Sequence, residues 1–411
     1  MASTNLSKTM ATATSLKTFC FSVWAKRSGL GNDQRLFLAY KDDPNYFLLR
    51  VDGDKLQLLD NKANSSSINI KTNRVFRDTN AWYHIFVQVD TTQATSSDRI
   101  NLYVNGELET SLANSTYPSQ NYEVPFGTSS YTMYIGSGQA SNQYWDGSMA
   151  HYHFVDGSAE TSTTFGSTDS TTGIWKPKTA PSISEYGNNG FFLKFENTSD
   201  FGEDSSGKDN DYTVSGTITQ TIDTPSNVFA TLNPLCKMPS DTTFSNGNTS
   251  IRMLGGEGAN SLSTLGVSKG KYYWEAKLIG WNSTNSRPLI GINTGINSVT
   301  GTNQRIGQSV DPDSIGYSLY LNDVYQNGSQ IRTSAQMGGS VSANDIYMFA
   351  LDLDNYKFYI GRNGSWLNSG VPTSGSTGTG SIGTVANDKT YFVATTSNNA
   401  DGNNIHNNDW D

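Results

Sequence analysis

The sequence predicts an all-β protein made of two antiparallel sandwiches in tandem. The first ground is periodicity: apolar residues recur at every second position in run after run, the spacing that sets one face of a strand on a core. The second is composition. Only 16% of the 411 residues are charged, 11% are aromatic, and 39 are glycine. Ser, Thr, Asn and Gly favour turns over helices, and aromatics at that level argue against disorder. The third is one cluster of prolines between two strand-rich blocks.

The elements follow in order. A polar arm covers residues 1–15 and reads equally as an anchoring strand or a frayed terminus. The first sandwich spans 16–222. Phe19-Cys20-Phe21 reads as part of an apolar strand. Tyr83, Ile85, Val87 and Val89 share a face, which leaves His84 on the opposite one. Ile100–Val104 alternates again and runs into Asn105-Gly106. That pair suits a type I′ hairpin turn, because both central residues need positive φ. Further strands are read at 131–136, 149–157 and 191–195. At 223–245 Pro225, Pro234 and Pro239 remove ladder donors, so this stretch reads as an extended linker. The second sandwich spans 246–411. There Tyr272, Trp274, Ala276 and Leu278 share a face, as do Phe349, Leu351 and Leu353, and Asn363-Gly364 makes another turn. No stretch sustains a long amphipathic helix.

Charge and ends exclude several classes. Lys+Arg total 28 against Asp+Glu 37, a net charge of −9, so no basic face for nucleic acid is expected. No apolar run reaches the roughly 18 residues of a membrane helix, so no membrane insertion is expected. The N-terminus shows no signal-peptide core. Cys20 and Cys236 read as buried free thiols.

Several stretches together resemble the laminin-G/concanavalin A-like domains of tailed bacteriophages, especially marine ones. They are Trp24–Ser28, Trp82–Ile85, Val89–Ala94, Asp98–Gly106, Tyr117–Tyr122, Asp146–Ala150, Gly173–Pro177, Gly190–Phe195 and Asp204–Asp211. The second half resembles a SPRY domain through Gly270–Glu275, Ile315–Tyr317, Tyr325–Gly328, Ala350–Asp354 and Phe358–Ile360. Both resemblances imply concanavalin A-like jelly rolls with binding loops at the sheet ends. Two departures stand out. A strand usual in relatives is missing before residue 16, and the polar tail 403–411 lacks an apolar closing strand. Open sheet edges of this kind predict a homo-oligomer, a trimer if the protein is a fibre.

The acidic loop Asp200, Glu203, Asp204, Asp209, Asn210 and Asp211 is the candidate metal site, since calcium takes about six to eight hard oxygens. Its Asx-rich composition also fits a plain turn, and that reading outweighs the calcium one. Tyr144, Trp145 and Asp146, Trp281 with Asn282, and Trp366 sit near polar turns. They are the candidate ligand contacts, because flat rings stack on sugar faces; singly, each reads more readily as packing. Trp24, Trp82 and Trp274 are assigned to cores or sheet faces. His151 and His153 fall at i and i+2 on one strand face, expected to be exposed, with no third metal ligand evident; His406 is in the tail. Glu107 and Glu109 read as a hairpin edge pair. The paired-carboxylate pattern of concanavalin-like hydrolases is absent, and so are nucleophile-elbow and phosphate-loop motifs.

The expected function is therefore that of a non-enzymatic virion protein of a tailed phage, made in the host cytoplasm. It would be a tail fibre, spike or head fibre binding host-surface carbohydrate or receptor beside other virion proteins. A capsid-decorating or tail-assembly role and a polysaccharide depolymerase are the alternatives.

Overall fold

The computed structural model describes residues 4–139, 143–238, 242–253, 259–281, 288–295, 305–397 and 408–410. The chain forms two compact units, Met1–Phe229 and Ala230–Asp411. Each is built from antiparallel sheets, as the period-two pattern requires.

In the first unit an eight-stranded sheet runs in the order Leu112–Thr116, Asn69–Val75, Lys55–Lys62, Asn45–Asp52, Gln34–Asp42, Thr132–Ile135, Asn5–Thr9, Thr213–Ser215. A six-stranded sheet runs Phe191–Leu193, Gly147–Asp156, Thr18–Arg27, Trp82–Asp90, Ile100–Val104, Glu107–Leu108. Their inner faces meet in one core. Phe21 stacks on Phe37 at 4.1 Å between ring centroids, and Phe19 meets Phe47 edge-on at 5.8 Å. Ile85, Val87 and Val89 point into this core as predicted. Asn105 and Gly106 have φ of 52° and 82°, as the type I′ turn requires.

The second unit pairs a seven-stranded sheet, Leu232–Met238 to Ser329–Arg332, with an eight-stranded one containing Lys271–Trp281, Ile346–Asp352 and Lys357–Arg362. Phe349, Leu351 and Leu353 lie in its core, and Tyr317 of one sheet meets Tyr347 of the other at 5.7 Å. Tyr272 departs from the predicted inner face: it is 41% exposed, and burial on that face begins at Trp274.

Three boundaries are corrected. Within the arm, residues 4–15 are part of the sandwich and not a frayed end. Asn5–Thr9 lies between Thr132–Ile135 and Thr213–Ser215, and Leu6 and Met10 are buried in the core. Residues 223–245 are not a free linker. Asp223 is ion-paired to Lys26 of the first unit, while Leu232–Met238 and Thr243–Ser245 are strands of the second. Pro234 is accommodated because its strand lies at a sheet edge with a register shift between Leu232 and Lys237. The tail does close the second sandwich, because Asn408–Trp410 pairs with both Ser250–Met253 and Lys271–Trp281. A polar strand suffices there, since a ladder needs backbone groups and not apolar side chains. The two edges that motivated a homo-oligomer are thus occupied within the chain.

The arm's membership of the sandwich has a direct check. Leu6→Ala should cost the first sandwich about 2–5 kcal/mol in urea unfolding, and Thr9→Ala at the exposed end of the same strand about 0.5 kcal/mol or less. Equal, negligible effects would return the segment to the status of a loose arm.

Candidate functional site

The outer face of the six-stranded sheet should be wet in a simple sandwich, and here it is covered. Cys20, Phe86, Val155, Phe165, Tyr186 and Phe192 form a second apolar layer on it. Both cysteines are free and buried, and burial pushes the Cys20 thiol well above its ordinary range.

Beside that layer lies a cleft of about 430 Å³ lined by Trp24, Trp82, Trp175, Ile174, Arg74 and Glu107, among others. Sheet geometry places the first two indoles. Trp24 pairs with His84 across neighbouring strands, and Trp82 lies two residues from His84 on the same face. The Gly166–Thr168 and Trp175–Pro177 hairpin delivers the third. The Trp175 ring fills a slot between Gly106 and Gly166, where a Cβ on either would come within 2.7 Å or less of the indole.

His84 locks this arrangement. It is fully buried and stacks on Trp24 at 5.0 Å. Trp175 Nε1 donates to His84 Nδ1 at 3.0 Å, and His84 Nε2 lies 2.9 Å from Ser22 Oγ. An indole N–H can only donate, so Nδ1 accepts and the neutral ring carries its proton on Nε2. Burial, with His151 nearby, pushes the His84 pKa down to about 3. The Trp82 indole donates to Asp223 Oδ1 at 3.2 Å. Arg74 pairs with Glu109 at 2.7 Å at the rim. The Trp24 indole N–H is buried and makes no hydrogen bond to any described residue. The cleft is thus walled by three fixed indoles, of which Trp175 is the least buried, and carries the opposite charges of Arg74 and Glu107.

Two sequence assignments change here. Trp24 and Trp82 belong to the cleft and not only to a sheet face. The histidines of 151–153 are not on an exposed face. His153 is 1% exposed, stacks on Phe192 at 3.8 Å and lies 2.9 Å from the Tyr186 hydroxyl. A bulge between Ala150 and His153 leaves His151 half-buried with φ 47°. Burial lowers both imidazoles' pKa values, that of His153 well below the ordinary range. Trp175, Arg74 and Ile174 were not proposed from sequence as ligand contacts. The only signal was the turn-rich Gly173-Ile174-Trp175 stretch.

The predicted ligand residues are scattered. Tyr144, Trp145 and Asp146 are half-buried, and Trp145 packs on the first core. The Asp146 carbonyl receives the Ser28 and Gly29 amides, and burial raises its carboxyl pKa. Trp366 meets Tyr273 edge-on at 6.3 Å on the second sandwich. The side chain of Trp281, and Asn282 and His406 altogether, lie outside the described residues.

The acidic loop is built as a turn. Asp204 Oδ1 accepts the Phe192 and Ser206 amides, each at 2.8 Å, and its Oδ2 accepts Ser206 Oγ at 2.7 Å and the Asn210 amide at 3.0 Å. Asp200 caps Gly202, Asp211 caps Asp204, and Asn210 donates to the carbonyls of Asn188 and Gly190. Asp209 is exposed with φ 56°. Among the described residues no three His, Cys, Asp or Glu side chains form a metal-holding group.

A family match agrees with this architecture. Residues 3–163 match the family described as the Concanavalin A-like lectin/glucanases superfamily. No curated protein matches the chain. The SPRY domain of human HERC1 is similar at 18% identity and TM-score 0.33, over 44% of this chain and 94% of that domain. Domain 4 of the Geobacillus stearothermophilus arabinanase AbnA, solved with arabinotriose, is similar at 16% identity and TM-score 0.28, over 35% of this chain and 63% of that one. A pentraxin from Limulus polyphemus shows 18% identity and TM-score 0.28, over 38% and 71%.

Two outcomes are expected. His84 and His153 are neutral when folded, whereas unfolded histidines protonate near pH 6.5. The unfolded chain then binds more protons below that pH, so stability is complete above it and falls as pH drops from 6.5 towards the folded values. The slope is up to ~1.4 kcal/mol per pH unit for each histidine. Urea unfolding between pH 7 and 5 should show this fall, shallower in His84→Gln; a flat profile would contradict it. Asp204→Ala should cost about 2 kcal/mol or more, while EDTA should leave the wild-type Tm unchanged. A fall in Tm on chelation would restore the calcium reading.

Proposed function

We propose that this chain is a non-enzymatic carbohydrate-binding protein of a tailed-phage virion, binding glycan in the Trp24–Trp82–Trp175 cleft. The single observation that carries the reading is the cleft itself. Its indoles are held in place before any ligand arrives, with Trp24 and Trp82 almost wholly buried and the half-buried Trp175 ring open to the cleft beside the exposed Ile174. Pyranose faces present C–H groups that stack on a ring such as Trp175, while the Arg74 and Glu107 side chains that line the cleft can hydrogen-bond hydroxyls. Prearrangement matters because a rigid site gives up little entropy on binding. The match of residues 3–163 to a lectin and glucanase superfamily supports the fold side of the reading. Support for the virion comes from the resemblance of the Trp82–Gly106 and Gly173–Pro177 stretches to phage sandwiches. In a tail fibre, spike or head fibre the cleft would meet host-surface polysaccharide.

A docking role on the virion is the second reading. The Tyr273 and Trp366 pair favours it: Tyr273 is 56% exposed on the outer face of the second sandwich.

The test is a glycan array followed by titration of the best ligand. Trp175→Ala should weaken binding at least tenfold, about 1.4 kcal/mol. Ile174→Ser, altering a side chain 57% exposed at the cleft, should weaken it without changing Tm. Binding to no host-envelope polysaccharide, or binding indifferent to both substitutions, would reject the site. Immunogold labelling that leaves phage particles bare would reject the virion.

A further inference from the structure

We propose that Lys26 and Asn80 of the first sandwich become joined by a side-chain amide bond, with Asp223 carrying the protons. Lys26 is the one fully buried lysine among the described residues, its side chain 3% exposed. Its Nζ lies 2.6 Å from Asp223 Oδ2 and 3.2 Å from Asn80 Oδ1. The carboxylate cannot turn away, because its Oδ1 holds the Trp82 indole at 3.2 Å and the Phe229 amide at 3.1 Å. Amine, carboxamide and carboxylate therefore come from three distant parts of the chain and are fixed against one another. Held groups of this kind react with effective concentrations far above anything reached in solution, and a carboxylate at hydrogen-bond distance is the general base such a condensation needs.

The step balances without any added reagent. Asp223 takes a proton from the Lys26 ammonium, leaving two neutral groups. The neutral Nζ adds to Cγ of Asn80. Asp223 passes its proton to Asn80 Nδ2 and receives a second one from Nζ. The Cγ–Nδ2 bond breaks, the carbonyl re-forms, and ammonia leaves. Every proton of the ammonium and the carboxamide ends on the new amide, the ammonia or Asp223, and no electron changes hands. Asn80 lines the tryptophan cleft, which gives ammonia a way out. The product would staple the central Thr18–Arg27 strand to the segment entering the Trp82–Asp90 strand.

Mass spectrometry of the purified full-length protein under denaturing conditions decides the matter without a variant. The expected mass is one ammonia, about 17 Da, below the sequence value. Trypsin should then yield residues 18–27 joined to residues 78–99. Lys26→Arg should restore the full mass. Full wild-type mass with both peptides free would overturn the proposal, and so would a bond mapped from Lys26 to Asp223. The outcome is independent of whether the cleft binds glycan.

Discussion

Burial of the Thr18–Arg27 strand on both faces is the constraint on which the first sandwich depends. Every side chain from Phe19 to Arg27 is out of water. The inner set, Phe19, Phe21, Val23 and Ala25, packs in the main core. The outer set, Cys20, Ser22, Trp24 and Lys26, is mostly not core-forming chemistry, and burying it costs free energy wherever a polar group goes unanswered, as it does at the Trp24 N–H. Ser22 is answered by His84, His84 by Trp175, and Lys26 by Asp223 and Asn80. Those partners sit on segments far along the chain. Satisfying one strand therefore dictates where residues 162–177 and 223–229 must return, and the cleft is the gap left between the returning segments.

Much of the scaffold was legible in the sequence because it rests on local rules. Ile85, Val87 and Val89 announced a strand face by spacing alone, and Asn105-Gly106 and Asn363-Gly364 announced turns by the φ they can adopt. The two end strands were not legible. Asn5–Thr9 and Asn408–Trp410 carry little apolar signal, and their place is fixed by unpaired backbone groups on neighbouring strands.

The candidate site was harder to read for a related reason. His84 alternates correctly to the outer face, and periodicity gave no hint that a hairpin some ninety residues later would cover it. Trp24 and Trp82 looked like sheet residues, which they are, and become cleft residues only when Trp175 arrives. Chain proximity was ambiguous at the acidic loop, where a turn outweighed a cation site. Carboxylates close in sequence suggested a cation, and the structure shows Asp204 taking up the Phe192, Ser206 and Asn210 amides and Asp211 the Asp204 amide. The bulge at Ala150–His153 also breaks the i, i+2 rule on which the histidine reading relied.

Hydrogen exchange resolved by residue tests the two-sided burial most directly. Amides of the Thr18–Arg27 strand should exchange only through global unfolding of the first sandwich, because no local opening exposes them without breaking both layers. The exposed edge strand Glu107–Leu108 of the same sheet should exchange far faster. Comparable rates in the two strands would contradict the account, since they would mean that the outer layer opens readily and does not hold the cleft in place.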